Sequence, residues 1–247
     1  MIPRVIHYCW FGRNQLPKSA VKCINSWRKF FPDYEIKEWN EDNFDVNSIP
    51  YTAEAYQARK FAFVSDYARF WILYNYGGLY FDTDVEVIKS MDDIIEQGPF
   101  MGIEVECGFK KSYPMVAPGL GMAVEAGHIL YKKMIDYYLG LHFWGEGRML
   151  NHETMVPRTT HILVEMGLQP HNDFQQVAGI CIYPIDYFNP LESLTGRLNK
   201  TERTRSIHWY MASWQDSSPF RRWLSRIYHR LFGLRLHRMK EMLKAAK

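Results

Sequence analysis

The apolar positions in the first forty residues change period twice. Residues 5–10 form a near-continuous apolar run of strand length, Val5-Ile6-His7-Tyr8-Cys9-Trp10. Val21, Ile24, Trp27 and Phe31 then recur at helical spacing, after a turn-like Gly12-Arg13-Asn14-Gln15 and the helix-starting Pro17. Pro32-Asp33 ends that helix, and residues 34–39 alternate as a second strand. A strand-helix-strand opening implies a parallel pair joined by a right-handed crossover.

Further on, the spacing predicts helices over 53–60 and 62–76, the second stopped by Gly77-Gly78. Leu79-Tyr80-Phe81 is an apolar strand that runs into Asp82-Thr83-Asp84, and Val85-Glu86-Val87 continues the extended chain. Helices are expected over 127–140 and 159–166, and late strands over 180–184 and 206–208. No internal repeat or low-complexity linker interrupts the chain. The expected class is α/β, a single domain over 1–219 with a mostly parallel sheet flanked by helices.

Composition changes this picture at the C-terminus. Of 30 Lys and Arg, nine lie in residues 220–247 with one acid, Glu241, leaving 21 basic and 26 acidic groups before them. A net +3 chain is therefore an acidic body with a basic tail. Phe220, Trp223, Leu224, Ile227, Tyr228 and Leu231 form an apolar helical stripe in that tail, with Arg221, Arg222, Arg226, His229 and Arg230 on the other faces. It reads as a helix packed on the domain or as an interfacial anchor on an anionic membrane surface. No recognition motif accompanies the charge, so nucleic acid is not an expected partner.

The four cysteines show neither C-x-x-C pairing nor zinc spacing, which suits reduced thiols in a cytoplasmic protein. Residues 1–7 lack a basic region followed by an apolar run, so no signal peptide is expected. Aromatic residues make up 16% of the chain, fitting a carbohydrate or nucleotide enzyme without requiring one.

The sharpest chemical signal is the acid pair after the strand. Carboxylates at the carboxyl edge of an α/β sheet sit where such folds bind ligands. In an extended chain, residues i and i+2 point the same way, so Asp82 and Asp84 could face one cation. Two like charges held close call for one, and oxygen ligands suit Mg²⁺ or Mn²⁺. Such an ion could bridge to a diphosphate and offset charge on a nucleotide leaving group.

Phe63-Val64-Ser65-Asp66-Tyr67-Ala68-Arg69 followed by residues 74–84, Tyr-Asn-Tyr-Gly-Gly-Leu-Tyr-Phe-Asp-Thr-Asp, resembles the DxD-containing sugar-binding region of glycosyltransferase family 32. That family includes capsular-polysaccharide and yeast mannosyl transferases and is related to the catalytic domain of the large clostridial glucosylating toxins. The opening residues 2–12 and the late block 207–214 resemble it too, in the same order. The resemblance implies a GT-A-type fold and a retaining transfer of a hexose from a UDP-sugar to a glycan or lipid-linked saccharide acceptor. It implies bacterial surface-polysaccharide synthesis on the inner face of the cell membrane as the setting.

By resemblance, Asp82 and Asp84 hold the metal, and Asp82 also holds ribose or sugar hydroxyls. Asp66 binds sugar hydroxyls, Arg69 a phosphate or sugar oxygen, Ser65 the nucleotide, and Trp10 stacks on the base. His208 is a third metal ligand or phosphate contact, Trp214 donates to the diphosphate, and Ser213 adds a hydroxyl. Each has a plainer reading: Trp10 as a core residue, Asp66–Arg69 as a surface ion pair, and His208 as a structural histidine. The segment with Asn151, Thr154, Arg158 and Thr159 is assigned to the acceptor side. Asp82-Thr83-Asp84-Val85 also matches the signature of haloacid-dehalogenase-type phosphohydrolases, and a non-catalytic nucleotide-sugar or glycan-binding module is the other alternative.

Overall fold

The computed structural model describes residues 1–108, 111–145 and 153–211, together with position 227. Apart from that one position, the expected tail helix over 220–247 lies outside the described residues, as do Ser213 and Trp214.

In chain order the elements are β1 (Val5–Cys9), α1 (Lys18–Phe30), β2 (Glu35–Trp39), α2 (Pro50–Gln57), α3 (Phe61–Tyr76), β3 (Gly78–Tyr80), β4 (Val85–Val87), α4 (Asp92–Glu96), β5 (Phe100–Val105) and β6 (Met115–Ala117). They continue as β7 (Met122–Val124), α5 (Ile129–Leu139), α6 (Met155–Glu165), β8 (Gln175–Val177), β9 (Ile180–Tyr183), α7 (Ile185–Phe188) and β10 (Ser206–His208). The main sheet runs β2-β1-β3-β7-β5-β9-β8, with β6 also on β5. β1 pairs in parallel with β2 and β3, and β5 with β9, while β7 is antiparallel to both β3 and β5. Hence β2, β1, β3, β5 and β9 share one direction, and β6, β7 and β8 oppose it. The mostly parallel α/β sheet expected from the strand-helix-strand opening is present.

Alternation along the strands divides the core in two. Ile6 and Tyr8 of β1 and Leu79 of β3 pack with Ile24 and Trp27 of α1, whereas Tyr80 packs with Val64, Tyr67 and Ala68 of α3 on the opposite face. Trp27 is fully buried, a contribution on the order of 1.5–3 kcal/mol for a large apolar side chain. Its indole N–H also donates to the Val85 carbonyl (2.8 Å), which ties α1 to the chain just past the acids. The stripe on α1 is Ala20, Cys23, Ile24 and Trp27, and Val21 is exposed. At 100° per residue Val21 lies at the margin of the face that Ala20 occupies.

The break between α3 and β3 is set by the two glycines. Gly77 has φ +64° and its N–H returns to the Leu73 carbonyl; Gly78 has φ +99°. A Cβ on Gly78 would sit 2.7 Å from the Val5 carbonyl oxygen, so β1 and β3 approach only because no side chain intervenes. His7 closes the same junction: one ring nitrogen pairs with the Gly77 carbonyl (3.0 Å) and the other accepts from the Trp39 indole (3.0 Å). Two of the other helices begin earlier than periodicity suggested, α2 at Pro50, a residue suited to the first helical turn, and α6 at Met155, whereas α5 begins later, at Ile129.

Candidate functional site

α3 is buried along most of its length, and its two charges are buried with it: Asp66 is 7% exposed and Arg69 2%. They are therefore not a surface ion pair. The Arg69 guanidinium lies 3.1 Å from Asp66 and 3.1 Å from Asp82, while its Nε donates to the Ser65 carbonyl (2.9 Å) and its plane covers the Tyr80 ring at 5.0 Å. One rigid fork thus joins the helix to the strand end that carries the acids. Burial pushes the Asp66 carboxyl up to about 6, against the pull of Arg69 and of a hydrogen bond from the Met155 N–H. Arg69 compensates Asp66 only in part because the same guanidinium serves Asp82.

Asp82 and Asp84 converge, but not through the pleat of an extended strand. β3 ends at Tyr80, and residues 82–85 form a turn closed by the Val85 N–H on the Asp82 carbonyl (3.0 Å). The expectation of an i, i+2 strand pair is corrected on this point: β4 leaves the main sheet to pair with β10, so the chain must bend between the two acids. β10 places His208 opposite Val85. Ligand atoms of Asp82, Asp84 and His208 lie within 4.8 Å of one another. Two carboxylate oxygens and one imidazole nitrogen suit a divalent cation, and the nitrogen inclines the set towards Mn²⁺ over Mg²⁺.

Asp84 is fastened from three directions. His208 Nε2 is 3.2 Å from one carboxylate oxygen, the Met211 N–H donates to the other (2.9 Å), and the Trp209 N–H donates to the Asp84 carbonyl (3.0 Å). Although burial works against the charged form, these contacts hold the Asp84 carboxyl below its usual range. The His208 imidazole is likewise raised despite burial, by Asp84, Asp82 and Glu104.

Trp10 follows β1 at the same sheet edge, one strand from the acids. It is half-buried, with its N–H on the Asn14 carbonyl (2.7 Å). The Ser65 hydroxyl donates to Phe61 (3.2 Å) within the helix. Arg158 and Thr159 are 1% and 0% exposed and pack into the core, which corrects their assignment to the acceptor side. Asn151 lies outside the described residues.

Sequence reasoning missed Gly119, Tyr80, Glu104, Tyr210 and Met211. Gly119, in the single turn Pro118–Leu120, accepts from the Asp82 N–H (3.2 Å), and a Cβ there would meet Asp82 Oδ2 at 2.1 Å. Only Gly119 carried a signal, as a glycine flanked by apolar residues, but nothing in the sequence tied it to Asp82. Two open surface hollows of about 380 and 350 Å³ lie elsewhere, one beside Lys89 and Lys200, the other beside Glu106 and Asp186. Neither is lined by Asp82 or Asp84, so the site is defined by the side chains gathered at the strand ends.

Residues 17–101 match the family model described as the glycosyltransferase sugar-binding region containing the DXD motif. Over these residues the chain is similar to that glycosyltransferase family. Its span takes in α1, α3, β3 and both aspartates. The chain is 29% identical over 149 residues to inositol phosphoceramide mannosyltransferase 1 of Schizosaccharomyces pombe, covering 56% of this chain and 45% of the relative. It is 32% identical over 106 residues to the uncharacterized glycosyltransferase L373 of Acanthamoeba polyphaga mimivirus, covering 40% and 42%. The chain thus spans less than half the length of these relatives. Among solved structures, the PaToxG glycosyltransferase aligns with a TM-score of 0.50 at 20% identity, over 66% of this chain and 69% of that one. The fold is of the GT-A type. Neither the phosphohydrolase nor the non-catalytic binding module finds support among these relatives.

Proposed function

We propose that the protein is a metal-dependent glycosyltransferase that moves a hexose from a nucleotide-diphosphate sugar to an acceptor hydroxyl. The observation that carries this reading is the convergence of Asp82, Asp84 and His208 at the carboxyl edge of the sheet, backed by Arg69. Asp82, Asp84 and His208 would hold the cation. A divalent ion there supplies positive charge opposite the diphosphate and offsets the charge of the departing nucleotide.

Arg69 keeps the Asp82 carboxylate aimed, and Asp66 accepts hydroxyls of the transferred sugar. Trp10 offers a ring face to the base, a contact worth ~1–3 kcal/mol. In the reaction the bond from the sugar's anomeric carbon to the diphosphate breaks, a bond to the acceptor oxygen forms, and the acceptor hydroxyl releases its proton to the departing diphosphate or to solvent. Catalysis rests on positioning and charge neutralisation, with the anomeric configuration retained.

The donor in this reading is a UDP- or GDP-hexose. The name of the Schizosaccharomyces pombe relative favours a mannosyl residue and a lipid-borne acceptor, which accords with a basic tail held at an anionic membrane face inside the cell. The setting we favour is surface glycan or glycolipid assembly. A nucleotide-sugar panel with Mn²⁺ identifies the donor, because a ligand at 100 times its Kd stabilises the folded state by ~2.7 kcal/mol. Asp84→Asn is expected to abolish metal dependence and turnover together. Normal Mn²⁺-dependent turnover in that variant would refute the assignment.

A further inference from the structure

A histidine that ligates a metal is ordinarily oriented by a hydrogen bond from its second ring nitrogen. His208 lacks this support: its Nδ1 is buried and has no hydrogen-bond partner among the described residues. The ring instead faces Tyr210, with centroids 4.2 Å apart and planes tilted by 45°. Tyr210 has φ +50°, a left-handed conformation that an aromatic residue adopts rarely and that persists where the surroundings impose it.

Those surroundings are visible. The Asn189 side-chain amide donates to the Tyr210 hydroxyl (2.6 Å) and also to the Glu104 carbonyl at the end of β5 (3.1 Å). One amide group thus ties the Tyr210 hydroxyl to the end of β5. On either side of Tyr210 the backbone is pinned to Asp84, through the Trp209 and Met211 N–H groups. Four successive residues therefore divide the work: 209 fixes the backbone of Asp84 and 211 its carboxylate, while 210 backs the imidazole of 208.

We propose that Tyr210 is a positioning residue for the divalent cation. Its ring fixes the orientation of the His208 imidazole, and its hydroxyl anchors that ring to Asn189. The proposal rests on the metal site of the proposed function. It extends that site to residues that touch neither the ion nor, on this reading, the donor. Orientation imposed before the ion arrives removes a rearrangement that would otherwise weaken binding.

The test is a titration of the full chain with Mn²⁺ alone, free ion being read by electron paramagnetic resonance, with no sugar and no turnover. Tyr210→Gly accommodates the positive φ and removes the ring. It is expected to raise the Kd for Mn²⁺ by about 10- to 100-fold, the range seen when outer supports of metal ligands are lost. Tyr210→Phe keeps the ring and loses its anchor, with an expected rise of about three- to tenfold. Pulsed resonance should show the imidazole-nitrogen coupling to the bound ion weakened in both variants. Asp84→Asn is the control and should lose Mn²⁺ binding outright. If it does, and Tyr210→Gly folds and keeps the wild-type Kd, the positioning role is wrong while the metal site stands. If Asp84→Asn itself retains wild-type Mn²⁺ affinity, the metal site fails and the proposal with it. Should Tyr210→Gly not fold, Tyr210→Phe decides: an unchanged Kd and coupling overturn the proposal.

Discussion

Gly119→Ala puts a single methyl group against the proposed metal site from outside the acid motif. A Cβ at this position would lie 2.1 Å from Asp82 Oδ2, 3.1 Å from its Cγ and 3.0 Å from the Met155 methyl. Real Cβ contacts are essentially never closer than 3.0 Å, so the carboxylate must withdraw by about 0.9 Å, the difference between 3.0 and 2.1 Å. That carboxylate is the one Arg69 holds at 3.1 Å and the one that shares a 4.8 Å cluster with Asp84 and His208. A misplacement of ~1 Å in a positioned group can cost ~10²-fold in rate, or about 2.7 kcal/mol of barrier. Stability should change far less. Gly119 is not among the positive-φ glycines, so alanine suits its backbone, and the atoms displaced are ends of side chains. The assay is kcat/KM for Mn²⁺-dependent transfer or donor hydrolysis, alongside a urea unfolding curve. A folded Gly119→Ala protein with wild-type kcat/KM would refute the placement of Asp82 in the chemistry.

Two further outcomes follow from buried charge. Burial lowers the pKa of His7 to about 4 from 6.5, so the unfolded chain takes up a proton between those values and the folded one does not. Stability from this group is complete above pH 6.5 and falls by about 3 kcal/mol as pH drops to 4; His7→Gln should show a correspondingly shallower decline in urea unfolding, and equal slopes would remove His7 as the cause. Arg69→Met leaves Asp66 buried without its ion partner and should destabilise the fold by about 3–5 kcal/mol, partly recovered in the Asp66→Asn double variant. A loss under 1 kcal/mol would mean that the pair is not effectively buried.

What the chain determined locally was the run from α3 through Gly77-Gly78 into β3 and Asp82-Thr83-Asp84. Helical period, helix stop, strand and acid pair all lie within some twenty-five residues, where short-range sterics and periodicity decide the outcome. The late strand at 206–208 was legible for the same reason. The tertiary structure decided the rest. Spacing made Asp66 and Arg69 neighbours, yet only the burial of α3 on both sides turned them from a solvated pair into a clamp on Asp82. Spacing also brought Asp82 and Asp84 together, but by the wrong device; the pairing of β4 with β10 imposes the turn and delivers His208. Gly119, Glu104, Asn189 and Tyr210 reach the site from turns and element ends 22 to 128 residues away from Asp82 in sequence. No local rule selects them, because contacts at that range are fixed by strand register and packing, and these exist only once the sheet has formed.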